Sequence, residues 1–182
     1  MTATVAGHHS HSSAAGRVVE GVTPLSAGVG VLRLAMGFTF LWPFLDKTFG
    51  LGRATASSDA WINGGSPTTG YLGNATTGPF SGMYESFAGH AWADWLFMLG
   101  LLGIGSALIL GVATRLATAA GAILLVLMWS AVLPTANNPF LDEHLIYAIV
   151  LVVLALAHAG ATFGLAARWE KLAVVRDHAV LR

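Results

Sequence analysis

Four apolar stretches set the limits on what this chain can fold into. They cover residues 26–45, 93–111, 116–133 and 145–163. A helix needs about 20 residues to cross the hydrocarbon core of a bilayer. Because lipid offers no hydrogen-bond partners, backbone groups there must be paired within the segment, which favours helices over open strands. The sequence therefore predicts an all-α fold, an integral membrane four-helix bundle with the lipid bilayer as its surroundings.

The composition agrees with a membrane protein. Hydrophobic residues make up 55% of the chain and charged residues 10%, whereas soluble domains carry about 25% charged residues. The net charge is +0 and no basic patch is present to meet phosphates, so nucleic acid is not expected as a partner. The chain has no cysteine, which excludes disulfides and thiolate metal sites within it. We expect neither a disulfide nor a bound metal.

The distribution of basic residues predicts the orientation. Arg17, Arg115, Arg168, Lys171, Arg176 and Arg182 flank one side of the four stretches, and only Lys47 and Arg53 flank the other. Cytoplasmic flanks carry an excess of Lys and Arg. We therefore expect a multi-pass protein of the cytoplasmic (cell) membrane with both termini in the cytoplasm. Residues 1–24 would form a flexible tail, 25–165 the membrane domain and 166–182 a second tail. For His8, His9 and His11 a disordered tail is favoured over a metal site.

The segment between the first two stretches, residues 46–91, is long for a connection. It is rich in Gly, Ser and Thr, yet it contains Trp61, Tyr71, Tyr84 and Phe87, whereas disordered linkers are poor in aromatic residues. We expect this outer loop to be structured and to fold over the mouth of the bundle. Anchoring of its aromatic rings at the lipid headgroups is an alternative that is compatible with a lid.

Arg33 is the one charged residue deep inside an apolar stretch, which makes it a candidate for function. Two interpretations stay open. The side chain could extend to the nearby interface, or it could point into the bundle and donate to backbone carbonyls, to a neutral His158 or to a ligand. His158 lies at a similar height in the fourth stretch and has an imidazole nitrogen that can accept from a guanidinium. A satisfied structural histidine is the other interpretation.

Polar residues converge at the opposite, outer end. The candidates are Trp42, Asp46, Lys47, Asp94, Asn138, Asp142, Glu143 and His144. Each also has a simpler explanation: Asp142 suits a helix N-cap, Glu143 suits the first turn, and Asp46 with Lys47 suits a solvated pair. Convergence of all of them beneath an aromatic loop is what favours a binding site there.

Three motifs resemble the DoxX/DoxD family of membrane proteins. They are LRLAMGFTFLWPFLDKTFG with Arg33, Gly37, Phe40, Asp46 and Lys47, then GLLGIGSALILGVATRLATAAG, and NNPFLDEHLIYAIVLVVLALAHAG. The resemblance spans residues 25–165. The sequence departs from the family after Leu165, where Ala166 and Ala167 stand in place of a common acidic residue.

The resemblance implies a membrane subunit of a quinone-linked oxidoreductase, similar to the large subunit of thiosulfate:quinone oxidoreductase, which works with a second subunit. Quinone would be the cofactor. Arg33 would donate to a quinone carbonyl or an anion, and His144 or His158 would handle protons. Lys47 would offset the charge of the substrate beside Asp46. Arg33 and His144 are thus the candidate catalytic residues, and the outer group together with Arg33 and His158 would bind substrate or quinone.

A non-enzymatic role is the alternative. Small residues recur every four positions from Gly103 to Gly111 and from Ala113 to Gly121, a pattern that allows close helix contacts in lipid. A scaffold or assembly factor for a partner membrane complex would use such faces, as would self-association into a homo-oligomer.

Overall fold

The computed structural model describes residues 22–181, and these residues form helices joined by turns. The histidine-containing tail and Arg182 lie outside the described residues. Four helices build the core of the fold: α1 (Pro24–Phe49), α4 (Ala91–Leu110), α5 (Thr114–Ala131) and α6 (Glu143–Leu156). Four short helices lie between and after them: α2 (Thr69–Leu72), α3 (Ser81–Glu85), α7 (Ala166–Trp169) and α8 (Ala173–Asp177).

Helix α1 has clear start and stop signals. Thr23 caps it by accepting from the backbone N–H of Ser26, and the Ser26 hydroxyl accepts in return from the Thr23 N–H. Pro24 occupies the first helical position, where its missing N–H costs nothing. The helix ends at Gly50, whose φ of 63° suits a residue without a side chain. α1 therefore extends beyond the apolar stretch 26–45 at both ends.

Glycines set the closest helix crossings. A Cβ added at Gly105 of α4 would lie 2.8 Å from the backbone nitrogen of Leu41 and 3.0 Å from the carbonyl oxygen of Gly37, both on α1. A Cβ at Gly121 of α5 would lie 2.8 Å from the side chain of Leu151 on α6. Around these crossings the four helices bury an apolar core that includes Met36, Phe40, Met98, Leu108, Leu125 and Leu154. The antiparallel α1–α4 and α5–α6 pairs thus form one packed bundle.

Three helices, α1, α4 and α5, are long and apolar enough to cross a membrane. Their outward faces expose large apolar side chains such as Phe38, Leu99 and Ile123, which is compatible with contact with lipid. The fourth predicted stretch differs from the expectation. Instead of one helix over 145–163, α6 has 14 residues and ends at Leu156, a length of about 21 Å at 1.5 Å per residue. His158 and Phe163 then take positive φ values of 50° and 54°, which turn the chain out of the helix.

The connection between α1 and α4, residues 50–90, is called the lid loop below. It contains α2, α3 and two short 3-10 helices, Ser57–Asp59 and Trp61–Asn63. The loop is tied to the bundle by backbone and side-chain contacts: the Thr77 N–H donates to the Ala131 carbonyl at 2.8 Å, and the rings of Trp61 and Trp95 meet edge to face at 4.6 Å between centroids. The lid loop therefore covers the end of the bundle where α1 ends and α4 begins, called the lid end.

Candidate functional site

Arg33 points into the bundle. Its side chain is fully buried, and Nη2 donates to the carbonyl oxygens of Thr162 and Phe163 at 3.1 and 3.0 Å. Nη1 packs against the turn between α4 and α5, because a Cβ added at Gly111 would lie 2.0 Å from it. Nε and Nη1 have no hydrogen-bond partner among the described residues. The Arg33 side chain therefore points into the bundle and does not extend to the interface, and the hydrogen bonds of its Nη2 go to backbone carbonyls.

His158 does not meet Arg33. Its Nε2 lies 3.4 Å from Nη2 of Arg115, at the start of α5. The His158 side chain is exposed, as is that of Arg115. A contact between Arg33 and His158 is one expectation from the sequence, because the two residues lie at similar heights along the bundle. They do not meet, because the chain turns at His158 and the side chain of this residue is exposed.

At the lid end, two buried carboxylates hold the lid loop. Asp46, 2% exposed, accepts from the backbone N–H groups of Arg53 and Ala54 at 3.2 and 3.0 Å. Asp94, 6% exposed, accepts from the Thr68 N–H and hydroxyl at 2.9 and 2.6 Å and from the Ser66 hydroxyl at 2.9 Å. Each carboxylate is satisfied by the loop it anchors. Instead of forming an open acidic mouth, these two residues fasten the lid, with Lys47 as a cation that interacts with both.

The remaining candidate residues of the outer end either make local hydrogen bonds, such as a helix cap, or lie exposed on the surface. Asp142 is the N-cap of α6, where its Oδ1 accepts from the Leu145 N–H at 3.1 Å, and its Oδ2 lies 2.7 Å from Nδ1 of His144. Asn138 accepts from two backbone N–H groups of its own turn, and Glu143 is exposed. The ring of Trp42 contacts that of Phe38 of the same helix in a tilted arrangement, with centroids 5.8 Å apart. The outer group is thus not one cluster; it consists of two loop anchors, one Asp–His pair and separate surface residues.

An apolar cavity of about 550 Å³ lies between α4, α5 and the lid loop. Its walls are almost entirely apolar and include Phe97 and Gly100 of α4 with Leu124 of α5. Leu96 and Ile123, which are 67% and 63% exposed, also line it. The cavity therefore opens on the outward face of α4 and α5, where a molecule dissolved in lipid could enter. We call it the α4–α5 cavity.

The polar side chains of the α4–α5 cavity are confined to its lid end. They are Thr68, Tyr71, Tyr84 and Trp92. The Tyr71 hydroxyl donates to the Met128 carbonyl at 3.1 Å, and the Tyr84 and Ser130 hydroxyls lie 2.6 Å apart. Burial, with smaller effects from Asp142 and Glu143, raises the pKa of Tyr71 to about 12. Tyr71 is therefore a neutral hydrogen-bond donor throughout the physiological pH range.

The Asp142–His144 pair lies beside this polar end. The rings of Tyr71 and His144 have centroids 6.3 Å apart. Asp142 and His144 keep small exposed fractions, 11% and 16%. Tyr71 thus borders both the cavity and a hydrogen-bonded acid–imidazole pair with access to solvent.

Comparison with known proteins identified no relative of this chain. No family model, curated protein or solved structure matches this chain significantly. The resemblance to the DoxX/DoxD family stays a prediction from the motifs.

The α4–α5 cavity was missed by sequence reasoning, although the sequence contains one signal for it. Phe97, Gly100 and Ile104 recur at helical spacing on α4, and a Cβ added at Gly100 would meet no atom within 4 Å. A glycine within an apolar helix face suggests either close packing or open space. Gly105 packs closely and Gly100 does not, a distinction that requires coordinates. Among residues 22–181 no group of three His, Asp or Glu side chains could hold a metal ion.

The α4–α5 cavity has the chemistry that a prenylated quinone, a form of the cofactor expected from the resemblance, would require. Such a ligand has a long apolar tail and a flat head whose carbonyl oxygens accept hydrogen bonds. The apolar walls suit the tail, and the hydroxyls at the lid end are donors for the head. Arg33 does not line this cavity, so the cavity and the buried arginine are separate features of the molecule.

Proposed function

We propose that this protein is the membrane subunit of a quinone-linked oxidoreductase and that the quinone binds in the α4–α5 cavity. The observation that carries the proposal is the cavity itself: it has a volume of about 550 Å³, it is apolar except at its lid end, and it opens on the outward face of α4 and α5. Ligand sites in proteins are concave, mostly apolar and supplied with a few placed polar groups.

The chain's own residues would bind and orient the ligand. The walls formed by Phe97, Leu124 and their neighbours exclude water from the tail. Tyr71 and Tyr84 hold hydroxyl groups where the head would lie, and each hydroxyl can exchange its present partner for a carbonyl of the ligand. Phe87 and Trp92, whose ring centroids lie 5.3 Å apart, both line the cavity beneath the lid loop.

His144 is the residue that would handle protons. Asp142 orients its ring through Nδ1, which directs Nε2 away from the acid. Tyr71 lies between this pair and the cavity, and it keeps its own proton because its pKa is about 12. A bound quinone would accept two protons together with two electrons, the electrons being released as two thiosulfate ions are joined by a sulfur–sulfur bond. His144 would take protons from the aqueous side for the head group, and the Tyr71 hydroxyl, which keeps its proton, would donate a hydrogen bond to the head group.

The remaining parts of this proposal come from the resemblance and the charge pattern. Thiosulfate is the substrate that the DoxX/DoxD likeness suggests, and a second subunit would deliver its electrons. In this proposal α6 is the fourth crossing, both termini lie in the cytoplasm, and the lid loop faces outward. Arg33 then has a structural position near the cytoplasmic end instead of a place at the quinone.

Two glycines of α4 make a sharp test. A Cβ added at Gly100 or at Gly103 would meet no atom within 4 Å, but only Gly100 lines the cavity. Gly100→Trp should fill the cavity with an indole, whereas Gly103→Trp should place the same group in lipid. The full chain would be purified in mild detergent and extracted with solvent, and the extract would be analysed by mass spectrometry. We expect a prenylated quinone with the wild type and Gly103→Trp and its loss from Gly100→Trp.

Equal quinone content in the two tryptophan variants would show that quinone does not bind in the α4–α5 cavity. A wild-type protein that retains no quinone but co-purifies with a stoichiometric membrane protein would support the scaffold function instead. If quinone is retained, Tyr71→Phe and His144→Gln should keep it while slowing reduction of a quinone analogue by thiosulfate in membranes that contain the whole complex.

A further inference from the structure

We propose a second binding site at the opposite end of the bundle, for the phosphate group of an anionic phospholipid. A cavity of about 250 Å³ lies there between the start of α5, the end of α6 and the segment that follows it. Its walls include Arg115, His158 and Glu170 together with the backbone of Gly160. This site is distinct from the α4–α5 cavity in position, in size and in polarity, and it does not depend on the quinone proposal.

Two side chains in the cavity wall present donors. Arg115 carries a permanent positive charge and a fork of N–H groups that matches phosphate oxygens. Its Nη2 lies 3.4 Å from Nε2 of His158. When Nε2 accepts from the guanidinium, the ring proton is on Nδ1, which makes Nδ1 a donor. A phosphate beside this pair would receive charge-assisted hydrogen bonds, which are about twice as strong as neutral ones.

The backbone at the N-terminus of α5 adds to the positive electrostatic potential in this cavity. Thr114, the first residue of α5, lines the cavity, and the N-cap residue Ala113 has no side chain to cap the first N–H groups. The N-terminus of an 18-residue helix carries a partial positive charge that favours anions. Here it supports a site that the cavity and its two basic side chains already define.

A buried cation lies one layer behind the cavity. Gly160, in the wall, packs on Gly111, since a Cβ added at Gly160 would lie 2.9 Å from the Gly111 carbonyl oxygen. Gly111 in turn packs on Nη1 of Arg33. Arg33 is fully buried and forms no salt bridge with any described carboxylate. A charge that is surrounded by low-dielectric groups and lacks a counter-ion extends its potential to the nearest polar cavity. The positive potential of Arg33 therefore favours an anion in this cavity.

The surroundings select a lipid over a soluble phosphate. Leu116 and Leu156, 47% and 75% exposed, are the neighbours of Arg115 and Ala155 on the outward faces of α5 and α6. Acyl chains could run along these faces while the phosphate group occupies the cavity. The chain beyond α6 exposes Phe163, Leu172 and Val174 beside Arg168 and Lys171, a mixture typical of a segment at the membrane surface. The 250 Å³ cavity has room for the phosphate and its ester groups but not for the acyl chains.

Native mass spectrometry of the full chain in detergent would test the site. After delipidation, phosphatidylglycerol and phosphatidylcholine with the same acyl chains would be titrated separately. Both lipids carry the phosphate, but the quaternary ammonium of phosphatidylcholine would be repelled by the positive charge of Arg115. We therefore expect the wild type to prefer phosphatidylglycerol by about tenfold. Arg115→Gln should abolish most of this preference. Lys171→Gln removes a cation from the same end without touching the cavity, and it should leave the preference nearly unchanged.

A further variant guards against misfolding of Arg115→Gln. Glu170→Gln removes the one carboxylate of the cavity wall, so it should strengthen phosphatidylglycerol binding by a few fold at the bound phosphate. Equal affinity of the wild type for both lipids, or equal losses in Arg115→Gln and Lys171→Gln, would overturn the proposal. Displacement of phosphatidylglycerol by inorganic phosphate at low millimolar concentration would assign the site to a soluble anion and overturn its assignment to lipid.

Discussion

At the scale of single residues, Arg33 shows how an apolar helix can accommodate a charge. The guanidinium donates to two carbonyls of the non-helical segment that follows α6, those of Thr162 and Phe163. Non-helical backbone within a membrane domain must find its partners inside the protein. Arg33 supplies them from α1, and the glycines at 111 and 164 leave room for its Nη1 atom. The residue is therefore a clamp between the first and last parts of the fold.

Replacing Arg33 should loosen this clamp locally. Arg33→Met keeps a long apolar side chain but removes the donors to the two carbonyls. Because a hydrogen bond to a charged group contributes about 1.5–3 kcal/mol, we expect hydrogen exchange in residues 158–166 to become roughly tenfold faster or more. Exchange followed by mass spectrometry measures this, with the exposed Arg53→Met as the control. Unchanged hydrogen exchange in residues 158–166 would show that the hydrogen bonds within this segment, and not those from Arg33, keep it folded.

At the scale of elements, the lid loop is held by carboxylates at the helix ends. Asp46 lies in the last turn of α1 and accepts from the first residues of the loop, and Asp94 lies in the first turn of α4 and accepts from Ser66 and Thr68. The sequence pattern predicted a structured loop from its aromatic content. It did not distinguish anchoring carboxylates from ligand-binding ones, because the two kinds look alike until their hydrogen-bond donors are known.

Limited trypsin digestion can test the anchor at Asp46. Lys47 and Arg53 are the only Lys or Arg residues in residues 46–91, so cleavage after Arg53 reports directly on the lid loop. Asp46→Ala removes the acceptor for the Arg53 and Ala54 N–H groups. We expect cleavage there to accelerate about tenfold or more, since two charge-assisted hydrogen bonds are lost. Asp59→Ala, an exposed acid in the same loop, serves as the matched control and should not change the rate. Equal rates in all three proteins would contradict the anchor.

At the scale of the whole molecule, the question is how often the chain crosses the membrane. Three helices have the length and composition for a crossing, and α6 is shorter, with 14 residues. A bilayer core is about 30 Å thick, so α6 needs the turn after Leu156, clamped by Arg33, to complete the distance. Four crossings and cytoplasmic termini stay predictions from the apolar stretches and from the distribution of Arg and Lys.

Cysteine labelling can count the crossings, because the chain has no cysteine of its own. Single cysteines at Ser86, Asn137 and Ala167 would each sit at an exposed position. If α6 crosses, a membrane-impermeant maleimide applied to intact cells should label the first two positions, and it should label Ala167→Cys only after permeabilisation. Labelling of Asn137 and Ala167 from the same side would show that the fourth helix enters and leaves on one face.

The sequence by itself determined the helical class, the membrane-compatible helices α1, α4 and α5, and the presence of a structured loop, because apolar length, charge content and aromatic content are properties of the chain. Tertiary structure alone decided where the polar side chains point. The inward turn of Arg33, the separation of His158 from it, the anchoring roles of Asp46 and Asp94, and the cavity beside Gly100 all depend on which helices pack together and how closely. Sequence spacing records position along a helix, whereas hydrogen-bond partners and cavities arise from the contacts between helices.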